Sequence, residues 1–309
     1  MQPQNWLTVH PLDQADAPAA AGLRAAVAAF KGNRAGIAGR TGFDDVMERV
    51  APPTNVTFEA DVIGGISGWW ARPAQSKSGA AILHVHGGWF NLGTARAYRN
   101  FVGQIAASAG VDAFVPDYRL APENPFPAAV TDVEACYRGL ARKGIKKLAV
   151  TGDSAGGALA LVLLAITNAR DSEGDVAPVG VVAISPVTDL ALTGESYQTR
   201  AEADPFFTKP QVAALVAAYL GKTDPRNPLA SPMYGDLRGL PPVRIQVGDD
   251  ELLLDDSRRY VERADAAGVD ARLDVWMGMP HGFVAYTREF GAARLALSTI
   301  GAFIKERLT

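Results

Sequence analysis

The sequence predicts an α/β fold, in which helices cover both faces of a mostly parallel central sheet. Short apolar segments alternate along the chain with longer segments of helical periodicity. The short segments, such as residues 179–185, are apolar almost throughout, as strands are when both faces of a sheet are covered. Residues 56–72 instead alternate apolar and polar side chains around a Gly64-Gly65 turn, which predicts an antiparallel N-terminal hairpin at one edge of the sheet.

The N-terminal segment, residues 1–50, is too short to hold a hydrophobic core of its own. Within it, apolar side chains recur at helical spacing over residues 19–30, and a second short helix is predicted over residues 43–50. Glycines interrupt the pattern between the two helices. We therefore expect this segment to pack on the main body as a helical cap.

The main body follows the alternation of strands and helices that is typical of a parallel sheet. Further strands are predicted over residues 80–86, 113–116, 147–151, 179–185, 243–247 and 272–276. Helices are predicted over residues 95–109, 128–143, 155–167, 254–267 and 292–307. Residues 186–240 contain no predicted strand but one apolar helix, over residues 209–220. This connection is longer than an ordinary loop, so we expect it to form a second cap segment.

The composition is typical of a globular protein with a large core. Of the 309 residues, 48% are hydrophobic and 20% are charged, and the net charge of -3 argues against nucleic acid or an anionic membrane as a partner. The single cysteine, Cys136, excludes an internal disulfide. The N-terminus lacks the pattern of a signal peptide, and the longest apolar stretch is far shorter than the ~18–20 residues of a membrane span. We therefore expect a cytoplasmic protein that binds no membrane.

The motif that best indicates a function is Gly152-Asp153-Ser154-Ala155-Gly156-Gly157. It lies between a predicted strand and a very apolar predicted helix, which is the setting of a G-x-S-x-G nucleophile elbow. Such a turn crowds the backbone around the serine, and glycines at its flanks meet that need. The alternative is a tight strand–helix turn in which Ser154 only caps the helix. A nucleophile also needs partners, so the rest of the chain decides between the two.

A serine nucleophile needs a base with a pKa near neutral, and the chain has four histidines. His10 lies in the N-terminal segment, where we predict no strand. His84 and His86 precede the serine, whereas enzymes with this elbow follow the order serine, acid, histidine. His281 remains, in a loop just after the last predicted strand, where open α/β sheets place their sites.

The segment His86-Gly87-Gly88-Trp89 follows an early strand and is predicted to form an oxyanion loop. Its glycines would leave the N–H groups of Gly87 and Gly88 free to face substrate, beside the N–H of Ala155. A metal site built on His84 and His86 is disfavoured, because no third ligand of matching character lies nearby in the sequence. We expect neither a metal nor a cofactor.

An acid is needed to orient the His281 ring. Five carboxylates follow the predicted strand 243–247, namely Asp249, Asp250, Glu251, Asp255 and Asp256. The last two more naturally begin the next helix, where acidic side chains favour the helix dipole. Spacing alone does not choose among the other three.

Four segments together resemble the bacterial hormone-sensitive-lipase-like esterases of the α/β-hydrolase superfamily. They are His86-Gly87-Gly88, residues 117–128 with the sequence DYRLAPENPFPA, Gly152-Asp153-Ser154-Ala155-Gly156-Gly157, and Pro280-His281-Gly282-Phe283. They occur in the order of the family and span most of residues 80–290. The resemblance implies an α/β-hydrolase catalytic domain over residues 51–309, capped by residues 1–50 and by an insertion at about 186–240.

The resemblance also bears on the acid. Members of the family carry D-P-L-x-D-E before a helix, and an ungapped alignment to residues 251–256 places the acid at Glu251. A gap of one residue gives Asp250 instead. The chain departs from the family at Trp89, where a third glycine is common and where a bulky ring would narrow the acyl pocket. It departs again at Leu252, where the family often has proline.

We therefore expect a serine carboxylesterase that acts on small-molecule esters with short acyl chains, through Ser154, His281 and Glu251. A lactone hydrolase or an acyltransferase with the same triad is an alternative, as is a non-catalytic ligand-binding protein on the same fold. The side chains expected to form the substrate wall are Trp89, Phe90, Phe206, Phe207 and Phe283. We also predict that residues 272–276 form an exposed edge strand, through which two copies of the chain would pair in a homodimer.

Overall fold

A nine-stranded sheet runs through the protein in the computed structural model, which describes residues 5–32, 36–169 and 176–308. In chain order the strands are β1 (Leu7–His10), β2 (Val56–Ile63), β3 (Ile66–Pro73), β4 (Ala80–Val85), β5 (Ala113–Pro116), β6 (Lys147–Asp153), β7 (Pro178–Ile184), β8 (Val243–Asp250) and β9 (Ala271–Pro280). Their spatial order is β1-β9-β8-β7-β6-β4-β5-β3-β2. The pairs β2–β3 and β3–β5 are antiparallel and all the others are parallel. The predicted mostly parallel sheet with an antiparallel hairpin is confirmed.

Helices cover both faces of this sheet. They are α1 (Ala17–Val27), α2 (Arg40–Glu48), α3 (Ala95–Ala109), α4 (Ala128–Arg142), α5 (Ala155–Asn168), α6 (Ser196–Thr199), α7 (Lys209–Leu220), α8 (Leu254–Ala266) and α9 (Gly291–Leu308). Helices α3 and α9 share a core on one face, while α4, α5 and α8 pack on the other. The first ten residues of α5 are all buried, which explains why its sequence is apolar on every side. Within the described ranges, no helix is both long and apolar enough to cross a membrane.

The prediction that β9 is an exposed edge strand of the sheet is wrong. Residues Leu7–His10 form β1 and pair with β9 in parallel, from Leu7 opposite Leu273 to His10 opposite Trp276. The sequence did not reveal this strand because it has only four residues and none of them is buried. The exposed edge at 272–276, on which the homodimer prediction rested, is therefore covered. His10 also has the strand context that the sequence analysis denied it.

The N-terminal segment contacts both the sheet and the second cap segment. Helix α1 packs against β9, and α2 packs against α3. The Gly32 N–H donates to the Phe206 carbonyl at 3.1 Å, and the Lys31 ammonium donates to the Ala201 carbonyl at 2.7 Å. These contacts bring residues from the segment between β1 and β2 and from the insertion after β7 to the same end of the molecule.

Candidate active site

A sharp turn between β6 and α5 carries Ser154. Its backbone angles, φ 54° and ψ -121°, lie in a region that residues other than glycine rarely adopt. Main-chain bonds hold this conformation, because the Ser154 N–H donates to the Ile184 carbonyl at 2.7 Å and its carbonyl accepts from the Val187 N–H at 3.2 Å. A Cβ at Gly156 would lie 2.0 Å from the Val85 carbonyl oxygen, so only glycine fits there. The serine is thus fixed in a strained turn at the C-terminal end of a central strand.

His281 follows β9 directly, and its ring contacts a buried carboxylate. The His281 Nδ1 lies 2.7 Å from Oε2 of Glu251, which is fully buried. The other carboxylate oxygen accepts from the Ser185 hydroxyl at 2.8 Å and from the Gly248 N–H at 2.6 Å. A carboxylate held at both oxygens fixes the ring orientation and favours the tautomer with its proton on Nδ1. The Nε2 atom is then the one available as a base.

The other two candidate acids are bound elsewhere. Arg24 of α1 donates to the Asp250 carboxylate, and Arg200 donates to Asp249 at 2.9 Å. The structure therefore brings Glu251, rather than either aspartate, to the histidine ring. The ungapped alignment and the geometry agree on this residue.

The glycine loop after β4 is fastened to the elbow by Asp153. The Gly87 N–H donates to Asp153 Oδ1 at 3.0 Å, and the Tyr98 hydroxyl donates to Oδ2 at 3.1 Å. The Gly87 amide is thus used within the protein, whereas the sequence analysis expected it to face substrate. Among the described residues, the N–H groups of Gly88 and Ala155 have no hydrogen-bond partner, so these two amides remain as candidate oxyanion donors.

A cavity of about 80 Å³ lies between the nucleophile turn, the glycine loop and the histidine. Ser154, Gly88 and His281 all line it. No hydrogen bond between the two side chains is present in the described part of the chain; such contacts often tighten only when substrate binds. The remaining walls are mainly apolar. They include Phe43, Val46, Met47, Val50, Trp89, Tyr98, Phe101, Asp153, Ile184, Phe206, Phe207, Ala285 and Tyr286.

The chain is similar to known proteins in sequence and in fold. A family described as alpha/beta hydrolase fold matches residues 82–285. An acetyl-hydrolase of Streptomyces hygroscopicus is 38% identical over 82% of this chain and 83% of its own length. A crystal structure of an esterase from the bacterial hormone-sensitive lipase family is 34% identical, with a TM-score of 0.87, over 96% of this chain and 99% of that one. The chain belongs to the hormone-sensitive-lipase-like esterases of the α/β-hydrolase superfamily. It is a carboxylic-ester hydrolase.

A further relative supports the same family from another genus. A protein of Mycobacterium tuberculosis that is named a putative acetyl-hydrolase is 33% identical to this esterase. The similarity covers 93% of this chain and 92% of the relative. The similarity therefore extends through the N-terminal segment and the insertion as well as the sheet. This chain and these relatives are all ester hydrolases, but the names of the relatives do not assign a substrate to this chain.

Electrostatics at the site of this esterase raise the pKa of His281. Burial lowers the pKa of the His281 ring, and neighbouring carboxylates oppose that effect. The charge and hydrogen bond of Glu251 are the main opposing contributions, and Asp204 and Asp153 add to them. The net result is a pKa above the ordinary value for histidine, which suits a group that must hold a proton during part of a reaction cycle.

Three of the five aromatic side chains predicted for the substrate wall line the cavity, namely Trp89, Phe206 and Phe207. Phe90 instead stacks on Tyr219, with ring centroids 3.8 Å apart. Phe283 packs against Trp276 in the core, with centroids 5.7 Å apart. Those two predictions were wrong, because an aromatic residue next to a motif can point into the core as readily as into a pocket.

Helix α2 and the residues just after it form a wall that was not predicted from the sequence. Phe43, Val46 and Met47 lie in the helix, and Val50 follows its end at Glu48. They recur at intervals of three, one and three residues, which is the spacing of one helix face. That signal was present in the sequence, but nothing in it told which surface the face would cover.

His84 and His86 are both buried, and each ring has a hydrogen-bond partner within the protein. His84 Nδ1 lies 2.9 Å from the Thr151 hydroxyl, and His86 Nδ1 lies 2.8 Å from the Gly87 carbonyl. No cluster of three or more potential metal ligands occurs within residues 5–32, 36–169 and 176–308. Neither ring is among the side chains that line the cavity.

Proposed function

We propose that this esterase hydrolyses small-molecule esters of short acyl chains through a triad of Ser154, His281 and Glu251. The observation that carries the proposal is the 2.7 Å contact between His281 Nδ1 and the buried Glu251 carboxylate, in a cavity that Ser154 also lines. A serine on a strained elbow, a histidine of fixed tautomer and a buried acid are the parts that acyl transfer requires.

In the proposed mechanism, the Ser154 hydroxyl attacks the ester carbonyl while His281 Nε2 accepts its proton. The N–H groups of Gly88 and Ala155 bind the oxyanion of the tetrahedral intermediate. The protonated ring then gives its proton to the leaving alcohol, and an acyl-enzyme forms on Ser154. Water, deprotonated by the same ring, attacks the acyl-enzyme and releases the carboxylic acid. Glu251 stabilises the histidine cation in both halves of the cycle.

The size of the cavity supports a short acyl chain. Its volume of about 80 Å³ is roughly half that of a 150 Å³ protein cavity that binds benzene. Trp89, in the position where a third glycine is common, fills part of the space beside the glycine loop. A solved structure 35% identical to this chain is described as soaked with p-nitrophenyl butyrate, a short-chain ester.

We also propose that the part of residues 1–50 that follows β1 acts together with residues at about 186–240 as a cap over the cavity. Helix α2 of the first segment and Phe206 and Phe207 of the second both supply side chains to its walls. A cap of this kind excludes water and restricts the length of the bound chain.

The experiment is a p-nitrophenyl ester series from acetate to octanoate, with lactones assayed in parallel, on the wild type and on Ser154→Ala. We expect turnover that is highest for acetate or butyrate and falls with chain length, and loss of all but a background rate in the variant. An organophosphonate should label the wild type at Ser154, and Ser67→Ala, an exposed serine, should be labelled and active like the wild type. Full activity in Ser154→Ala would exclude the proposal, and faster turnover of lactones would reassign the substrate.

A further inference from the structure

Asp204 is a carboxylate that lies outside the proposed triad and is fully buried close to it. Its Oδ1 accepts the N–H groups of Phe206 and Phe207 at 2.8 and 2.9 Å, and its Oδ2 accepts the Leu252 N–H at 2.9 Å. All three partners are donors, which is the environment that an ionised carboxylate needs when it is removed from water. Burial raises the pKa of the Asp204 carboxyl, and the hydrogen bonds from the three N–H groups oppose that effect.

The three donors belong to two separate parts of the site. Phe206 and Phe207 line the cavity, whereas Leu252 directly follows Glu251. One carboxylate thus joins the aromatic wall of the insertion to the loop of the proposed acid. A movement of either part would break a bond to the same side chain.

Phe207 itself lies between the glycine loop and the histidine. Its ring meets the His281 ring edge-on, with centroids 5.2 Å apart, and meets the Trp89 ring edge-on at 5.5 Å. The Phe207 backbone N–H is bound to Asp204, and this bond restricts how deeply the Phe207 ring reaches into the cavity.

We propose that Asp204 is a positioning residue that holds Phe207 against His281 and so sets the longest acyl chain that the cavity accepts. This inference rests on the proposed function of Ser154, His281 and Glu251. It assigns the chain-length limit to a carboxylate that substrate does not touch, acting through the ring that it positions.

The test compares Asp204→Asn and Asp204→Ala with the wild type over p-nitrophenyl acetate, butyrate, hexanoate and octanoate, with kcat and KM measured separately. In Asp204→Ala the amides of Phe206, Phe207 and Leu252 all lose their acceptor. In Asp204→Asn the side-chain oxygen can still accept from the two phenylalanine amides, but the amide nitrogen faces the Leu252 N–H as a second donor. We expect the ratio of kcat/KM for hexanoate to that for acetate to rise by about tenfold in Asp204→Ala and by less in Asp204→Asn, because one methylene in an apolar pocket changes kcat/KM by about tenfold or more. The rise should come mainly from a lower KM for the longer ester.

A second readout is the acid limb of kcat/KM against pH. Asp204, Glu251 and Asp153 are the carboxylates that raise the pKa of His281. Removing one of these charges lowers that pKa, so the limb of Asp204→Asn should move to lower pH. A purely structural role would lower the melting temperature and the amount of active enzyme without moving either the limb or the ratio.

The matched control is Asp189→Asn. Asp189 is also fully buried and lies in the same insertion, but it accepts from the Ala191 and Thr193 N–H groups and from the Tyr234 hydroxyl, none of which lines the cavity. Its chain-length ratio and pH limb should equal those of the wild type. If both Asp204 variants fail to fold, Phe207→Leu with Asp204 intact must give the same rise in the ratio.

The outcomes separate the inference from the proposed function. A wild type that neither turns over p-nitrophenyl esters nor is labelled at Ser154 overturns the proposed function. If the wild type passes both tests, and Asp204→Ala and Phe207→Leu keep the chain-length ratio of the wild type, only the inference about Asp204 is overturned.

Discussion

The Asp153 carboxylate accepts the Gly87 N–H at 3.0 Å and so joins the nucleophile turn to the glycine loop. The two segments lie far apart in the sequence, and each carries one of the amides that remain as candidate oxyanion donors. Their relative position therefore depends on this contact and on the Tyr98 hydroxyl that binds the second carboxylate oxygen. The loop is also held internally, because the Gly88 carbonyl accepts the Leu92 N–H at 2.9 Å, but that bond does not connect it to the nucleophile turn.

We predict that Asp153→Ala lowers kcat by roughly 10²-fold with a smaller effect on KM, because losing an aligned oxyanion donor costs about that much. Tyr98→Phe removes only the second contact and should lower kcat much less. Steady-state kinetics on p-nitrophenyl acetate, with melting temperatures for both variants, provide the measurement. Equal kcat values in Asp153→Ala and the wild type would show that the loop holds its shape without this bond.

A different carboxylate controls the base. Glu251→Gln should lower kcat by about 10²- to 10⁴-fold, because an uncharged partner neither stabilises the histidine cation nor enforces its tautomer. Glu251 raises the pKa of His281, and the base must be unprotonated to act. The acid limb of kcat/KM should therefore shift to lower pH in the variant, even as the plateau falls. The profile is measured over about pH 5 to 9, around the titration range of histidine.

Asp250→Asn is the control for that prediction, because Asp250 is adjacent in sequence but binds Arg24 instead of the histidine. It should keep its acid limb at the wild-type pH and most of its kcat. A shift of the limb in Asp250→Asn and none in Glu251→Gln would assign the acid to the other residue.

How much the sequence could predict differs from part to part of the molecule. The sheet and its helices follow from apolar periodicity, and the esterase family follows from four motifs in the expected order. Ser154 could be found because its turn demands small neighbours, and His281 because so few histidines compete with it. Glu251 needed the resemblance, since three adjacent carboxylates look alike until the backbone path decides which one reaches the ring.

Other features depend on contacts that no local pattern encodes. The Gly87 amide is used by Asp153, and this follows from how two distant turns meet in space. Phe90 and Phe206 have similar sequence settings, yet one stacks in the core and the other lines the cavity. Strand β1 was missed because its pairing with β9, rather than burial of its own side chains, stabilises it.

The wall formed by α2 predicts how the substrate range can be widened. Met47 lines the cavity and is only partly buried, so truncating it should enlarge the space at little cost in stability. We expect Met47→Ala to raise kcat/KM for hexanoate relative to acetate by about tenfold, since roughly two more methylenes of the acyl chain would be buried, at about 0.8 kcal/mol each. Arg49→Ala, on an exposed position of the same segment, should keep the wild-type ratio. A ratio that is the same in both variants would mean that acyl chains do not reach α2.

The pairing of β1 with β9 predicts a role for His10 in stability alone. Its ring stacks on Trp276 with centroids 3.8 Å apart, and its Nε2 lies 2.7 Å from the Asp274 carboxylate. His10→Ala removes both contacts and should lower the free energy of unfolding by about 1 kcal/mol, which is the typical value of an aromatic pair. For a chain of this size that corresponds to a fall of roughly 2 °C in melting temperature, measurable by scanning fluorimetry. The kcat on p-nitrophenyl acetate should stay within about twofold of the wild type, because His10 contributes no atom to the cavity wall. A large loss of kcat without a loss of stability would instead connect this edge of the sheet to the reaction.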